Sequence, residues 1–412
     1  MPVDFLRVPP RVDVPVVSRP SIVGWALLLC LLLAGGAAVA VFVWPRGKPD
    51  NGLFWFVAIE LPILAWGFLL SCRFAYLHGC VNAALAINRT DAAIEAQCHE
   101  ASSQPLVALG HAWRFGCSDD ENSLDALVSG KTTLRPVASQ AEPDTDVIAR
   151  WLDVPGRQFY AGNVLNEYAR QTALCEWLLN ELVLGITPQL LELPAGGTVY
   201  VDLCIDSLLS PQTVAGHLLS LVKETARTSR VRMSPPTSEL TLFHADSWFD
   251  KMAEDTTRLL VAIQLRNSAS EVLARGVAEA ASMVLVSSVP LARKIGETSP
   301  VYIHRPAKGA PENVAETVGL AVRWGRTAFG RIETNWRVGL AANVARMVRS
   351  SCDFGAATKT IDLDATVGNA GAASAWLAVA LAIANATVTN GPQLVIAQER
   401  HDVLALLCGK QT

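Results

Sequence analysis

Few residues in this chain have the types and spacing that chemistry requires. The stretch TVGNAGAASAWLAVALA, Thr366 to Ala382, places Gly368, Asn369 and Gly371 at the entry of a charge-free, alanine-rich run. A helix start of this kind can cradle an anion, cap a buried helix or begin a membrane span. Phosphate loops need GxxxxGK[ST] and dinucleotide sites need GxGxxG, whereas these two glycines form only GxxG. The nine cysteines are scattered and none forms CxxC, so neither a metal cluster nor a disulfide framework is expected. Cys98 and His99 are adjacent but have no further ligand nearby. No GxSxG elbow occurs, and Asp202, Asp206 and Asp246 read as turn or cap residues rather than a carboxylate dyad. No metal and no cofactor is expected.

The elements that would position these residues begin with two apolar segments. Ile22 to Trp44 is uncharged and exceeds the roughly 20 residues that cross a bilayer. After a turn containing Pro45 and Pro49, Gly52 to Cys72 forms a second span. The pair reads as a membrane hairpin over 22–72 that follows a cytoplasmic tail, residues 1–21. Arg7, Arg11, Arg19 and Arg73 outside the hairpin, against Arg46 and Lys48 in its turn, favour both chain ends in the cytoplasm. Within the second span, Glu60 is ionisable and lies just before Pro62. That makes it a functional candidate, or a protonated group packed on the other helix or on a second copy.

A net charge of -4 removes the electrostatic basis for nucleic-acid binding. Residues 73–197 read as a connector with helical stretches over Asp146–Asp153 and Gly162–Leu184. Alternating strand and helix patterns start near Thr198. GTVYVDLCID, RLLVAIQLR and ASMVLVSS are strand-like, as are SPVYIHR, TKTIDLDA, PQLVIAQER and DVLALLCGK. The pattern restarts part-way, which predicts an α/β core over 198–412 built as a pseudo-repeat. The Thr366 stretch is too rich in alanine to match the first hairpin and is flanked by strands, so it is expected to be the buried helix of that core.

GNAGAAS, Gly368 to Ser374, resembles the GN-x-x-AAS signature of starter-condensing ketoacyl synthases in the thiolase-fold superfamily. In that family the asparagine is an active-site residue, which implies that role for Asn369. LAAN, Leu340 to Asn343, resembles the family's HQAN segment with Leu340 in place of the histidine. RGVAEAASMVLVSS resembles its GDGA-type segment, and PQLVIAQERHDVLALLCGK its final two strands. The resemblance implies a nucleophilic cysteine ahead of the helix near Ser247, yet MSPPTSELTLFHADSW contains none. His244 cannot form an acyl thioester. Asn343, Gly368, Asn369, Gly371 and His244 are therefore candidate pocket residues of a catalytically degenerate synthase, with Asn369 capping the helix. The hairpin, with LFWFVAIELP and SCRFAYLHG, is similar to accessory proteins of type VI secretion. That likeness implies a bacterial inner-membrane adaptor or scaffold with a protein partner, able to form a homodimer. The alternative is an enzyme condensing or transferring acyl groups from acyl-CoA or an acyl carrier protein.

Overall fold

Ile22–Val43 forms α1 and Gly52–Ser102 forms α2, both long and apolar enough to cross a membrane. These coordinates are a computed structural model that describes residues 8–16, 20–45 and 51–410. The described residues divide into two compact units, one up to His99 and the other from Glu100 onward. Arg7, Arg19, Arg46 and Lys48, on which the expected orientation partly rests, lie outside the described residues.

Within the first unit the two helices meet closely. Pro62 has no N–H for the carbonyl of Ala58, and the helix widens into a π turn over Phe56–Glu60, with the Leu61 N–H donating to Phe56 O. Gly36 of α1 packs here, where an added Cβ would lie 2.4 Å from Pro62 Cγ and 2.9 Å from Ala58 O. Trp66 Nε1 donates to Trp25 O at 2.9 Å. Gly36→Leu is therefore expected to force the helices apart and lower the thermal midpoint of the full chain in detergent. Gly35→Leu should leave the midpoint unchanged, because nothing lies within 4 Å of a Cβ at Gly35. Glu60 is exposed while Ala58 is buried, so the carboxyl is not packed against α1.

The second span was expected to end at Cys72, but α2 runs on to Ser102. NAALAINRTDAAIEAQCHEA is built mostly from good helix formers, and no proline interrupts it. Val12 lies along this extension and exchanges two hydrogen bonds of 2.8 Å with the Asn88 amide.

The second unit contains two copies of one topology. The first runs β1 (Leu106–Arg114), α3 (Val164–Gly185), β2 (Thr198–Asp206), α4 (Pro211–Thr225), β3 (Arg230–Met233), α5 (Asp246–Lys251), β4 (Thr256–Gln264) and β5 (Ala280–Ser287). The other runs β6 (Val301–Ile303), α6 (Val314–Trp324), β7 (Thr334–Val338), α7 (Ala342–Ser351), β8 (Lys359–Asp362), α8 (Gly371–Thr389), β9 (Gln393–Glu399) and β10 (Asp402–Gly409). In each half the third strand lies outermost, followed by the second, fourth, fifth and first. The second strand runs parallel to the third and fourth, and the fifth is antiparallel to its neighbours. β1 and β6 pair antiparallel and join the halves into one sheet.

The core thus starts well before Thr198, because β1 and α3 come from the stretch read as a connector. Asp146–Asp153 is not helical. It is extended, with the Arg150 N–H donating to Val277 O and Arg150 O accepting from the Glu279 N–H. That lateral pairing outweighs a short apolar period, and Pro155 stands just beyond.

Candidate functional site

α8 crosses one face of the sheet and packs against strands of both halves. Every residue from Ala373 to Ala386 is buried. Alanine makes a good helix with little bulk, so strands approach it from all sides. Although α8 is also long and apolar enough to cross a membrane, it is the central core helix.

Its N-terminus opens on a cleft of about 500 Å³ at the carboxyl ends of the parallel strands. Gly368 has φ +106°, and a Cβ there would come within 2.8 Å of Ala278 Cβ, so only glycine suits this crossing. The Asn369 N–H donates to Gly276 O, and Asn369 O accepts from the Ala278 N–H. Its side-chain Oδ1 accepts from the Gly371 N–H at 2.8 Å. Gln264, at the end of β4, takes the next donor: its Oε1 accepts from the Ala372 N–H at 2.9 Å. Gln264 Nε2 in turn donates to Asp206 Oδ2 at 2.9 Å. Gly371 has φ +46°, which favours glycine, and a Cβ there would sit 2.1 Å from Gln264 Oε1 and displace it. The first two free N–H groups of α8, the natural place for an anion or oxyanion, are thus occupied by the protein's own side chains.

Other expected site residues are dispersed. Asn369 and Gly371 line the cleft, whereas Asn343 and His244 do not. Asn343 is exposed in the first turn of α7, and Leu340 is half-buried in the turn before it. His244 packs edge-on against Trp248, with ring centroids 5.9 Å apart. Burial, and to a lesser degree Arg258, lower its pKa against the pull of Asp202. The three aspartates have separate partners: Asp202 pairs with Arg258, Asp206 holds Gln264, and Asp246 pairs with Arg305.

The pseudo-repeat identifies the helix equivalent to α8 in the other half. It is α5, between the third and fourth strands, with 6 residues against 19. In place of a long helix, Trp248 of α5 stacks on Trp376 of α8 at 5.7 Å, and both indoles are buried. Cys117, Cys175, Cys204, Cys352 and Cys408, the thiols of this unit, all have pKa values raised by burial. Cys204 is pushed up to about 12 and sits mid-strand in β2. A condensing nucleophile needs the opposite shift.

Sequence reasoning missed Glu399, which closes the other side of the cleft. Its two oxygens accept from the Leu242 N–H at 3.2 and 3.3 Å. Burial pushes its pKa up to about 7, against the pull of that N–H and of Lys308. A raised folded-state pKa favours the protonated form. The resulting stability is fully present below the unfolded carboxyl pKa and is lost as the pH rises through about 7. Glu399→Gln keeps an acceptor for Leu242 but has no charge to bury. It is expected to gain about 2 kcal/mol on the wild type between pH 5 and pH 8. Denaturant melts at the two pH values check this; equal differences at both would reject it.

With this geometry established, the comparisons with known proteins are specific on one point. Residues 314–408 match the family model of the type VI lipase adapter protein Tla3, C-terminal region. The matched segment runs from α6 into β10 and includes the whole of α8. The chain matches no curated protein sequence. Among solved structures it is similar to the PfaC ketosynthase–chain length factor, at 10% identity over 75% of this chain and 43% of that one, with a TM-score of 0.50. It also matches the ishigamide ketosynthase/chain length factor, at 15% identity over 75% of this chain and all of that one, with a TM-score of 0.49. The first likeness establishes a ketosynthase-like α/β fold, and the repeated strand order is its internal counterpart.

Proposed function

We propose that this chain is a membrane-tethered, non-condensing relative of ketosynthases that serves as an adaptor in type VI secretion. Its protein partner would be a lipase effector. The observation that carries this reading is the match of residues 314–408 to the lipase adapter family. The closed N-terminus of α8 supports it, because Asn369 and Gln264 occupy the donors that would hold a developing oxyanion. The buried, unactivated thiols favour binding over acyl transfer as well. The α1–α2 hairpin would place the protein in a bacterial inner membrane as a two-pass anchor, with both ends in the cytoplasm. A pseudo-symmetric fold of this kind also offers a surface for homodimerisation.

The test is co-purification of the full-length protein from native membranes, with the recovered partners identified by mass spectrometry. Recovery without lipase and without self-association would remove the adaptor reading. Incubation with acyl-CoA followed by mass spectrometry addresses the competing enzyme. The expected result is no adduct, and acylation of a single cysteine, abolished by its replacement, would establish acyl transfer instead. A periplasm-active reporter fused after Thr412 is expected to stay silent.

A further inference from the structure

A second cleft, of about 650 Å³, lies between the C-terminal part of α7 and strands β7 and β8, and Arg337, Arg349 and Thr360 line it. It is separate from the cleft at the start of α8. Trp336 points into the core around α8, and side chains alternate along a strand, so Arg337 leaves β7 on the opposite face.

Three arginines are buried among the described residues: Arg170, Arg305 and Arg337. Arg170 pairs with Glu167 and Glu279, and Arg305 with Asp246 and Asp250. Arg337 is 6% exposed and has no ion pair. The Asn335 amide, a neutral group on the same strand face, lies 3.1 and 3.2 Å from the Arg337 Nε and Nη2, and accepts from both once its oxygen is turned toward the guanidinium. Asp362 is the register neighbour of Arg337 on β8, but its Oδ1 accepts from the Ala365 N–H at the start of the next helical turn. Arg349, exposed in the last turn of α7, brings a second guanidinium to the same cleft. Burial lowers the Arg337 pKa, and Arg349 lowers it further, against the weaker opposing pull of Asp362 and Cys352. Buried charges are ordinarily paired, and two like charges sharing a cavity call for an opposite one.

We infer that this cleft binds a phosphomonoester dianion between Arg337 and Arg349. Two guanidinium forks match two negative charges and the several oxygens of a tetrahedral phosphoryl group better than they match one carboxylate. The hydroxyls of Ser350, Ser351 and Thr360, also on the cleft wall, supply further donors. Asp353 stands on the same wall and is exposed, which favours a ligand held toward the arginines. Inorganic phosphate and the headgroup of phosphatidic acid present the same dianion.

Calorimetric titration of the full chain in detergent with inorganic phosphate, at constant ionic strength and pH 7.5, tests this. Acetate serves as the control anion. The expected result is saturable phosphate binding, no acetate binding, and weakening at pH 5.5, where the second phosphate proton returns. Arg349→Gln, on the surface, should keep its melting temperature without phosphate and bind phosphate at least about tenfold more weakly. Arg337→Lys keeps the charge without the fork and should weaken binding similarly. Nanodiscs with phosphatidic acid, compared with phosphatidylcholine, separate the sources. Arg349-dependent binding to phosphatidic acid alone would assign the site to a lipid headgroup. Binding in neither arm, or equal binding by wild type and Arg349→Gln, would overturn the inference. Acetate binding as strong as phosphate would do so too.

Discussion

Arg170→Ala is expected to be the most destabilising single charge removal in the second unit, costing about 3–5 kcal/mol. Arg170, Glu167 and Glu279 are all completely buried. The guanidinium donates to Glu167 Oε1 at 2.9 Å, Glu279 Oε1 at 2.5 Å and Glu279 Oε2 at 3.2 Å. It also donates to the carbonyls of Leu152 and Arg266. Burial opposes its charge, but the two carboxylates more than offset this and raise its pKa. For Glu279 burial dominates, and the carboxyl stays above its ordinary value despite Arg170 and two backbone donors. Without the arginine, two desolvated carboxylates would face each other with no cation. Glu279, already raised by burial, would then favour protonation further, so the variant's deficit should shrink as the pH falls toward the unfolded carboxyl pKa and grow toward neutrality. Denaturant melts at pH 5 and pH 8 would show this, and a deficit independent of pH would mean that the arginine acts only by packing. Adding Glu167→Gln and Glu279→Gln to Arg170→Met should recover part of the loss, because it removes the stranded charges. Cleft geometry depends on the network as well, since it fixes Arg266, two residues beyond Gln264.

That network also shows where the sequence stops being legible. Glu167 and Arg170 are three apart on an apparently amphipathic helix, a spacing that ordinarily means a solvated surface pair. Instead both are buried, and Arg170 bonds to Glu279, 109 residues downstream. The strands β2, β4, β5, β9 and β10 could be read directly, because continuous apolar, β-branched runs bounded by turns have few alternatives. β1 could not be assigned to the core. Its sequence is broken by Gly110 and His111, and its partners β5 and β6 lie far along the chain. At the cleft, the hydrogen bond from the Gly371 N–H to the Asn369 side chain is local and follows from the residue types. The Gln264 plug is not local: it reaches Ala372 across 108 residues, and no spacing rule foretells it. Leu340 and Asn343 matched a motif in sequence, but the turn after β7 leaves Asn343 exposed and off the cleft wall.

Trp376→Ala is expected to cost about 3–5 kcal/mol, the range for emptying a large aromatic site from a closed core. Trp376 is 2% exposed, and its stacking partner Trp248 is equally buried. Its Nε1 donates to Leu240 O at 2.8 Å, which ties α8 to the segment forming the outer wall of the cleft. Truncation would leave an apolar void beside Trp248 and remove the donor from that carbonyl. Trp376→Phe should lose less, because a ring remains against Trp248 while the hydrogen bond is absent. The void predicts a further result that general loosening would not produce. Indole or benzene should raise the melting temperature of Trp376→Ala and leave the wild type unchanged, as apolar ligands do in a dry cavity. No rescue would mean that α8 and α5 collapse onto each other, which the alanine-rich surface of α8 makes possible. Rescue would instead show that the two indoles hold the halves apart at the place where the repeat has kept a long helix on one side and shortened it on the other.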